Sequence, residues 1–309
     1  MPSQFLLPPE QRIVARILRK VSIPRGSMVV LGIGDDCAIF RPRGSAEDLL
    51  FTTDLLLEDV HFRQTTHPPE AVGRKALARG LSDIAAMGGD PRFCLVSLAL
   101  ARWSGQAWVD GFYRGLLRLA KETGTVLAGG DLARAESLAC DIVVCGSVPK
   151  AQALRRDGAR PGDAIYVSGA LGGSALGLEA GKGRAWQRHL KPEPRLRLGR
   201  FLRERVHASA AMDLSDGLSL DLHRLCLASR VAAEIEAPPI FRGASLEQAL
   251  HGGEDYELLF TVPERIRVPS HHDWLPLTRI GSIRKGNPGV VTLAGRPLER
   301  LGYDHFRNT

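Results

Sequence analysis

Four short motifs in this chain each carry an apolar run into an aspartate with glycine or hydroxyl neighbours. Val29-Val30-Leu31 leads into Gly32-Ile33-Gly34-Asp35-Asp36, and Leu49-Leu50-Phe51 leads into Thr52-Thr53-Asp54. Thr125-Val126-Leu127 leads into Ala128-Gly129-Gly130-Asp131, and Ala210-Ala211-Met212 leads into Asp213-Leu214-Ser215-Asp216-Gly217. A single carboxylate beyond a strand is ordinarily a turn or cap residue, and Asp216, ahead of a helix, reads on its own as an N-cap. The collection reads differently. Strand ends at one sheet edge converge, and converging carboxylates repel unless a cation joins them. No lysine sits inside the motifs to neutralise them. Hard oxygen donors, with the hydroxyls of Thr52, Thr53 and Ser215 and no His/Cys cluster, point to Mg²⁺ rather than zinc. Asp83 lies near the C-terminal end of a helix, where the macrodipole disfavours a negative charge that a cation would compensate. Glycines beside the acids let backbone approach a phosphate. The chemistry suggested is several Mg²⁺ ions holding a polyphosphate.

The elements that must position these residues alternate β-rich and amphipathic runs. Met28 to Leu31, Leu49 to Thr53, Phe93 to Ala101 and Leu138 to Val148 read as strands. Glu70 to Met87 reads as a helix with Leu77, Leu81, Ile84 and Ala85 on one face, stopped by Gly88-Gly89. Trp108, Phe112, Leu116 and Leu119 mark a second helix, closed by Gly124. Pro149 to Gly162 lacks a periodic apolar pattern and divides the chain into residues 1–149 and 150–309. Beyond it come a strand at Ala164 to Ser168, a helix from Ser174, a helix from Leu218 to Ser229, and strands at Tyr256 to Val262 and Val290 to Leu293. The class is α+β in two α/β halves.

Composition excludes other classes. At 309 residues, 44% hydrophobic and 24% charged, the chain is long enough for two domains and matches an ordinary globular protein. Its longest apolar stretch, Phe93 to Ala101, is far short of a bilayer span. Glu10-Gln11-Arg12 stands where a signal peptide needs apolar residues. Five cysteines without a C-x-x-C pair read as reduced core thiols, which places the protein in the cytoplasm. The net charge of +7 admits an anionic partner, but the basic stretch from Lys182 to Arg205 is interrupted by Glu193 and Glu204 and reads as a solvated helical face rather than a nucleic-acid surface.

Common nucleotide motifs are missing. There is no G-x-x-x-x-G-K-[ST] phosphate loop and no G-x-S-x-G elbow. Gly169-Ala170-Leu171-Gly172-Gly173-Ser174 follows a strand and opens a helix, and it reads as a tight turn with a serine cap, or more weakly as a phosphate loop.

The same acidic motifs resemble the thiamine-monophosphate kinase family, which belongs with aminoimidazole ribonucleotide synthetase and selenophosphate synthetase. The resemblance runs from Leu31 to Phe306 and includes GIGDD at Gly32, TTD at Thr52, HF at His61, LSDIAAMG at Leu81, GGD at Gly129, DLSDGL at Asp213, GGEDYEL at Gly252 and GYDHF at Gly302. It implies ATP-dependent phosphorylation of thiamine monophosphate to thiamine diphosphate, with several Mg²⁺ ions. By motif match, Asp36, Thr52, Thr53, Asp54, Asp83, Asp131, Asp213 and Asp216 resemble the family's Mg²⁺ ligands. Gly130, Asp131, Arg156 and Ser215 resemble its ATP contacts, and His61, Glu254 and Tyr303 its substrate contacts. The family fold implies a homodimer in which the N-terminal mixed sheet forms a barrel with that of a second subunit, beside a larger C-terminal α/β domain. Two positions depart from the family pattern: Leu132-Ala133 replace a Thr pair after Asp131, and Asp59 stands where a glycine is usual.

The resemblance implies a phosphate oxygen as nucleophile, already largely ionised near neutral pH because a monoester's second pKa is about 6. Direct in-line transfer then needs no general base, and Arg156 would add charge to the transferring group. Two other readings compete. Another member of the superfamily is one, although a selenophosphate synthetase needs a reactive Cys ahead of the acidic motifs and the first here, Cys37, follows Asp36. A non-enzymatic nucleotide- or nucleic-acid-binding protein using the basic stretch is the other, and an acid cluster would repel its phosphates unless metal were present.

Overall fold

The two β-rich halves of the sequence become two separate sheets in the computed structural model, which describes residues 7–307. After helix α1 (Pro9–Leu18), the first sheet is built from β1 (Val29–Leu31), β2 (Ala38–Phe40), β3 (Glu47–Leu57), β4 (Asp90–Leu100), β5 (Val126–Arg134) and β6 (Ala139–Pro149). Its spatial order is β1-β2-β3-β6-β4-β5, antiparallel throughout except for the parallel pair β4·β5. Helices α2 (Pro69–Ala86) and α3 (Gln106–Thr123) pack on one face. Gly124 ends α3 in the left-handed conformation, φ 71°, which a residue without a Cβ adopts readily. The other face of this sheet exposes Leu55, Thr53 and Ser97.

The second sheet comprises β7 (Asp163–Ser168), β8 (Ala210–Asp213), β9 (Ala232–Ile235), β10 (Leu258–Pro263), β11 (His271–His272), β12 (Leu275–Arg284), β13 (Val291–Leu293) and β14 (Arg296–Pro297). The order is β14-β13-β9-β12-β7-β10-β8, with β11 pairing β12. Helices α4 (Gly173–Ala180), α5 (Gly183–Leu190), α6 (Leu196–Phe201, continuing as a π turn to Val206), α7 (Leu218–Ser229) and α8 (Leu246–His251) join the strands.

Helix α2 belongs to both halves. Leu77, Leu81 and Ile84 sit in the core of the first sheet, while Ala85 and Ala86 pack with Leu198, Leu202, Ala211 and Phe260 of the second. Most of its residues are buried, as befits a helix enclosed on several sides.

The structure corrects the sequence reading in three respects. Asp54 and Asp131 do not lie beyond their strands but inside β3 and β5, because the extended conformation continues through Thr52-Thr53 and Gly129-Gly130. Helices α1 and α8 and strands β2, β9 and β12 were not legible, and the helical stretch read from Lys182 to Arg205 is divided between α5 and α6. In β12 a bulge between Arg279 and Gly281 breaks the alternation of buried side chains, so Leu275 and Leu277 are followed by Ile280 and Ile283. The basic stretch is not simply a solvated face. Glu257 is fully buried and draws in Arg188 and Arg195, while Arg203 is buried and donates to the Gly88 carbonyl. A buried carboxylate needs such partners.

Candidate active site

One polar stripe on α2 organises the site. Lys75, Arg79, Ser82 and Asp83 fall at i, i+4, i+7 and i+8, the spacing that places side chains on one helix face. Arg79 reaches Asp54 of β3 at 3.1 Å and donates to the Leu55 carbonyl at 3.2 Å. Thr52, the neighbour of Asp54 but one on the same strand face, donates its hydroxyl to Asp83 Oδ2 at 2.5 Å. Ser82 donates to Asp213 Oδ2 at 2.7 Å, and Lys75 pairs with Glu254.

At the centre, carboxylate oxygens of Asp36, Asp83 and Asp213 lie within 4.8 Å of one another. Burial raises all three above the ordinary carboxylate range; for Asp83 the charges of Asp54, Asp213 and Asp36 add to it, and for Asp213 that of Asp36. Asp54 is also raised by burial, with Arg79 opposing. Asp36 Oδ2 is buried without a hydrogen-bond partner. An orphaned buried carboxylate oxygen beside two further carboxylates is what a hard divalent cation would satisfy, and the all-oxygen donor set fits Mg²⁺.

Arg156, from the segment between the sheets, ion-pairs with Asp36 and Asp35, and its backbone N–H donates to Asp35 Oδ2 at 3.2 Å. Burial and the charge of Asp36 drive Asp35 up to about 7. Asp216 does not cap α7. It pairs with Arg224, and Asp221 instead accepts the N–H groups of Asp216 and Gly217 at 3.0 and 3.1 Å.

A cavity of about 330 Å³ adjoins this cluster. It is lined by Asp54, Asp83, Asp213, Ser215 and Asp216 together with His61, Glu254 and Tyr303, and by His305 and His189. The Tyr303 N–H donates to the Asp216 carbonyl at 2.8 Å, and the His305 ring lies between those of His61 and Tyr303, with centroids 5.3 and 4.8 Å away. His61 Nδ1 accepts the Leu57 N–H at 3.0 Å, and burial, followed by the charge of Arg79, lowers its pKa to about 3, so the ring is neutral near pH 7.

Three of the residues singled out from sequence lie elsewhere. Thr53 points to the opposite sheet face, where its hydroxyl donates to Asp141 Oδ1 at 2.7 Å. Asp131 and Gly130 are exposed on the edge strand β5, where Asp131 pairs with Ser97 of β4. A Cβ on Gly130 would fall 1.8 Å from the Val96 carbonyl oxygen, so strand packing alone requires glycine there. The Gly169–Ser174 turn is no phosphate loop: Asp255 accepts the N–H groups of Gly172 and Ser174 at 2.5 and 3.1 Å.

Sequence reasoning missed Lys75, Arg79 and Ser82. Their i, i+4, i+7 spacing with Asp83 was the available signal, but a lysine or arginine on a helix ordinarily reads as its solvated side.

Residues 34–148 match the family model for the N-terminal domain of AIR synthase related proteins, and residues 160–290 match that for their C-terminal domain. A thiamine-monophosphate kinase from Rhodopirellula baltica is 40% identical over 276 residues, covering 82% of this chain and 84% of its own. One from Escherichia coli K12 is 38% identical, covering 96% of this chain and 98% of its own. The structure of AaThiL complexed with AMPPCP and TMP superposes with a TM-score of 0.84 at 34% identity, over 96% of this chain and 97% of that one. An α+β fold of two mixed sheets, a buried oxygen-donor cluster and these similarities along nearly the whole length agree: the chain belongs to the thiamine-monophosphate kinase family of AIR synthase related proteins.

Proposed function

We propose that this protein transfers the γ-phosphoryl group of ATP directly to the phosphate of thiamine monophosphate, forming thiamine diphosphate. The observation that carries the reading is a cavity lined by Asp83 and Asp213 of the carboxylate cluster together with His61, Tyr303 and Glu254. A relative of 34% identity that holds AMPPCP and TMP together supports the pairing of substrates.

Asp36, Asp83 and Asp213, with Asp54, Thr52 and Asp216 beside them, would hold several Mg²⁺ ions, which would supply positive charge against the repulsion between two phosphates. Arg156, paired with Asp36 and with Nε 3.4 Å from Asp35 Oδ1, would add positive charge beside the cluster, and Ser215 lines the cavity. His61, neutral and with Nδ1 engaged, is suited to packing against a ring rather than to removing a proton. That matches an acceptor phosphate that is already ionised and needs no general base.

In this reading residues 1–149 supply most of the cation and nucleotide site, and residues 150–309 complete it and bind the acceptor. The protein acts as a homodimer. Support comes from β5, an edge strand whose Val126 and Leu132 are 60% and 61% exposed, and from the exposed apolar face bearing Leu55. Gly130, Asp131 and Thr53 lie on that strand and that face, so their nucleotide or metal contacts depend on what packs there. Five buried free thiols fit a reducing compartment, the cytoplasm, and among the described residues no helix is long and apolar enough to cross a membrane.

The test is thiamine diphosphate formation from thiamine monophosphate, ATP and Mg²⁺, with EDTA and free thiamine as controls. Mg²⁺-dependent product that is absent with free thiamine supports the reading. Tight MgATP binding without product moves the acceptor to another superfamily chemistry. Retention rather than inversion at the transferred phosphorus rules out direct in-line transfer.

A further inference from the structure

Lys75 is a buried ammonium that ties together two parts of the acceptor wall. Its side chain is 1% exposed on α2. Nζ lies 2.8 Å from Glu254 Oε1, donates to Oε2 at 2.9 Å, and donates to the His61 backbone carbonyl at 3.2 Å. Two of these contacts are hydrogen bonds, while Glu254 Oε1 is in ionic contact only and has no hydrogen-bond donor of its own. The contacts come from opposite halves of the chain: His61 follows β3 of the first sheet, and Glu254 precedes β10 of the second.

As a mere prop this arrangement is costly, because a buried ion pair contributes little that an apolar side chain of similar volume would not. What it adds is geometry. Glu254 has φ 64°, a conformation that a residue with a Cβ rarely adopts, and it is fixed by its own N–H to the Ser215 carbonyl at 2.7 Å as well as by Lys75. His189 stands 3.4 Å from Glu254 Oε2 and is itself held by Ser174 Oγ at 2.9 Å and by His67 Nε2 at 3.2 Å. Glu254 is thus a carboxylate already matched by a cation, and a cationic acceptor ring meets an oriented pair rather than a bare anion.

We propose that Lys75 is a positioning residue for the acceptor, setting the spacing of His61 and Glu254 across the two halves without touching the nucleotide. The inference rests on the reading that these two residues contact thiamine monophosphate.

Steady-state kinetics of the full-length wild type, Lys75→Met, Lys75→Arg, Glu254→Gln and the double variant Lys75→Met/Glu254→Gln test it. Lys75→Met should raise KM for thiamine monophosphate by about tenfold or more while KM for ATP stays within about twofold. Lys75→Arg, which keeps the charge, should recover part of the loss. In the Glu254→Gln background, adding Lys75→Met should raise the acceptor KM by less than about threefold, because a residue acting through another is not additive with it. Additive effects, or equal rises in both KM values, overturn the proposal. If Lys75→Met alone does not fold, the comparison of Glu254→Gln with the double variant decides, since neither leaves a bare buried carboxylate. A wild-type protein that makes no thiamine diphosphate overturns the underlying reading and the inference with it, whereas an active wild type with an unaffected Lys75→Met overturns the inference alone.

Discussion

Ser82 Oγ donates to Asp213 Oδ2 at 2.7 Å, joining the C-terminal part of α2 to the last residue of β8. The bond crosses from the first half of the chain to the second at the point where the carboxylates converge. With Lys75–Glu254 and the Asp36/Asp83/Asp213 contact it makes the carboxylate cluster a property of both halves together.

That cluster should depend on metal. Mg²⁺ is expected to raise the thermal midpoint of the wild type, and Asp83→Asn or Asp213→Asn should abolish that rise and lower turnover on the order of 100-fold. Without metal the same variants should be at least as stable as wild type, because burial and mutual repulsion make the charged forms costly at neutral pH. Differential scanning calorimetry with Mg²⁺ and with EDTA reads both effects. A full Mg²⁺ response in Asp83→Asn would remove the assignment.

Arg156→Met should weaken ATP binding by about ten- to a hundredfold, the worth of charge-assisted hydrogen bonds at about 1.5–3 kcal/mol. It also removes the guanidinium paired with Asp36. Titration calorimetry with a non-hydrolysable ATP analogue measures the change, and unchanged affinity would return Arg156 to a purely structural role.

Acid sensitivity should come from the buried neutral histidines, His61 and His223, lowered to about 3 and about 4, and a second pair, His67 and His189. Burial, followed by the charge of Lys75, lowers His67 to about 4 and His189 to about 3. Their folded values lie below the unfolded value, so the stability tied to their neutral forms is full above about pH 6.5 and falls by about 1.4 kcal/mol per pH unit for each as pH drops toward the folded values. Urea titrations at pH 7, 6 and 5 should show the decline, and His189→Gln should flatten it by about one histidine's share. An unchanged slope in that variant would place the sensitivity elsewhere.

The exposed edge of the first sheet is expected to be covered in solution. Leu132→Glu on β5 should shift the protein from dimer to monomer, as read by sedimentation velocity, and weaken ATP binding if Asp131 acts from that strand. A wild-type monomer would leave β5 a bare edge and end the dimer proposal.

The two halves, the helix over residues 70–87 and the carboxylate motifs were legible because each rests on local signals: apolar period, terminating glycines and acids after β-rich runs. The stripe on α2 was not, since its polar residues look like a solvated face until both sheets are known to enclose the helix. Strand faces were equally hidden. Thr52 and Thr53 read alike in sequence, yet the period of two sends one to Asp83 and the other to Asp141 on the far side. Arg156 lies in the segment between the sheets, and its ion pairs with Asp35 and Asp36 join residues more than a hundred positions apart, beyond any local pattern.

The turn from Gly169 to Ser174 brings its own anion. Backbone donors at the start of α4, a place suited to a phosphate, are filled by the Asp255 carboxylate from the loop leading into β10. The second half therefore carries an internal substitute for a ligand and does not wait on nucleotide to order that corner. Substrate concentration should govern the cleft between the halves and leave this corner unchanged, so amide exchange at Gly172 and Ser174 should be equally slow in the empty and the loaded protein.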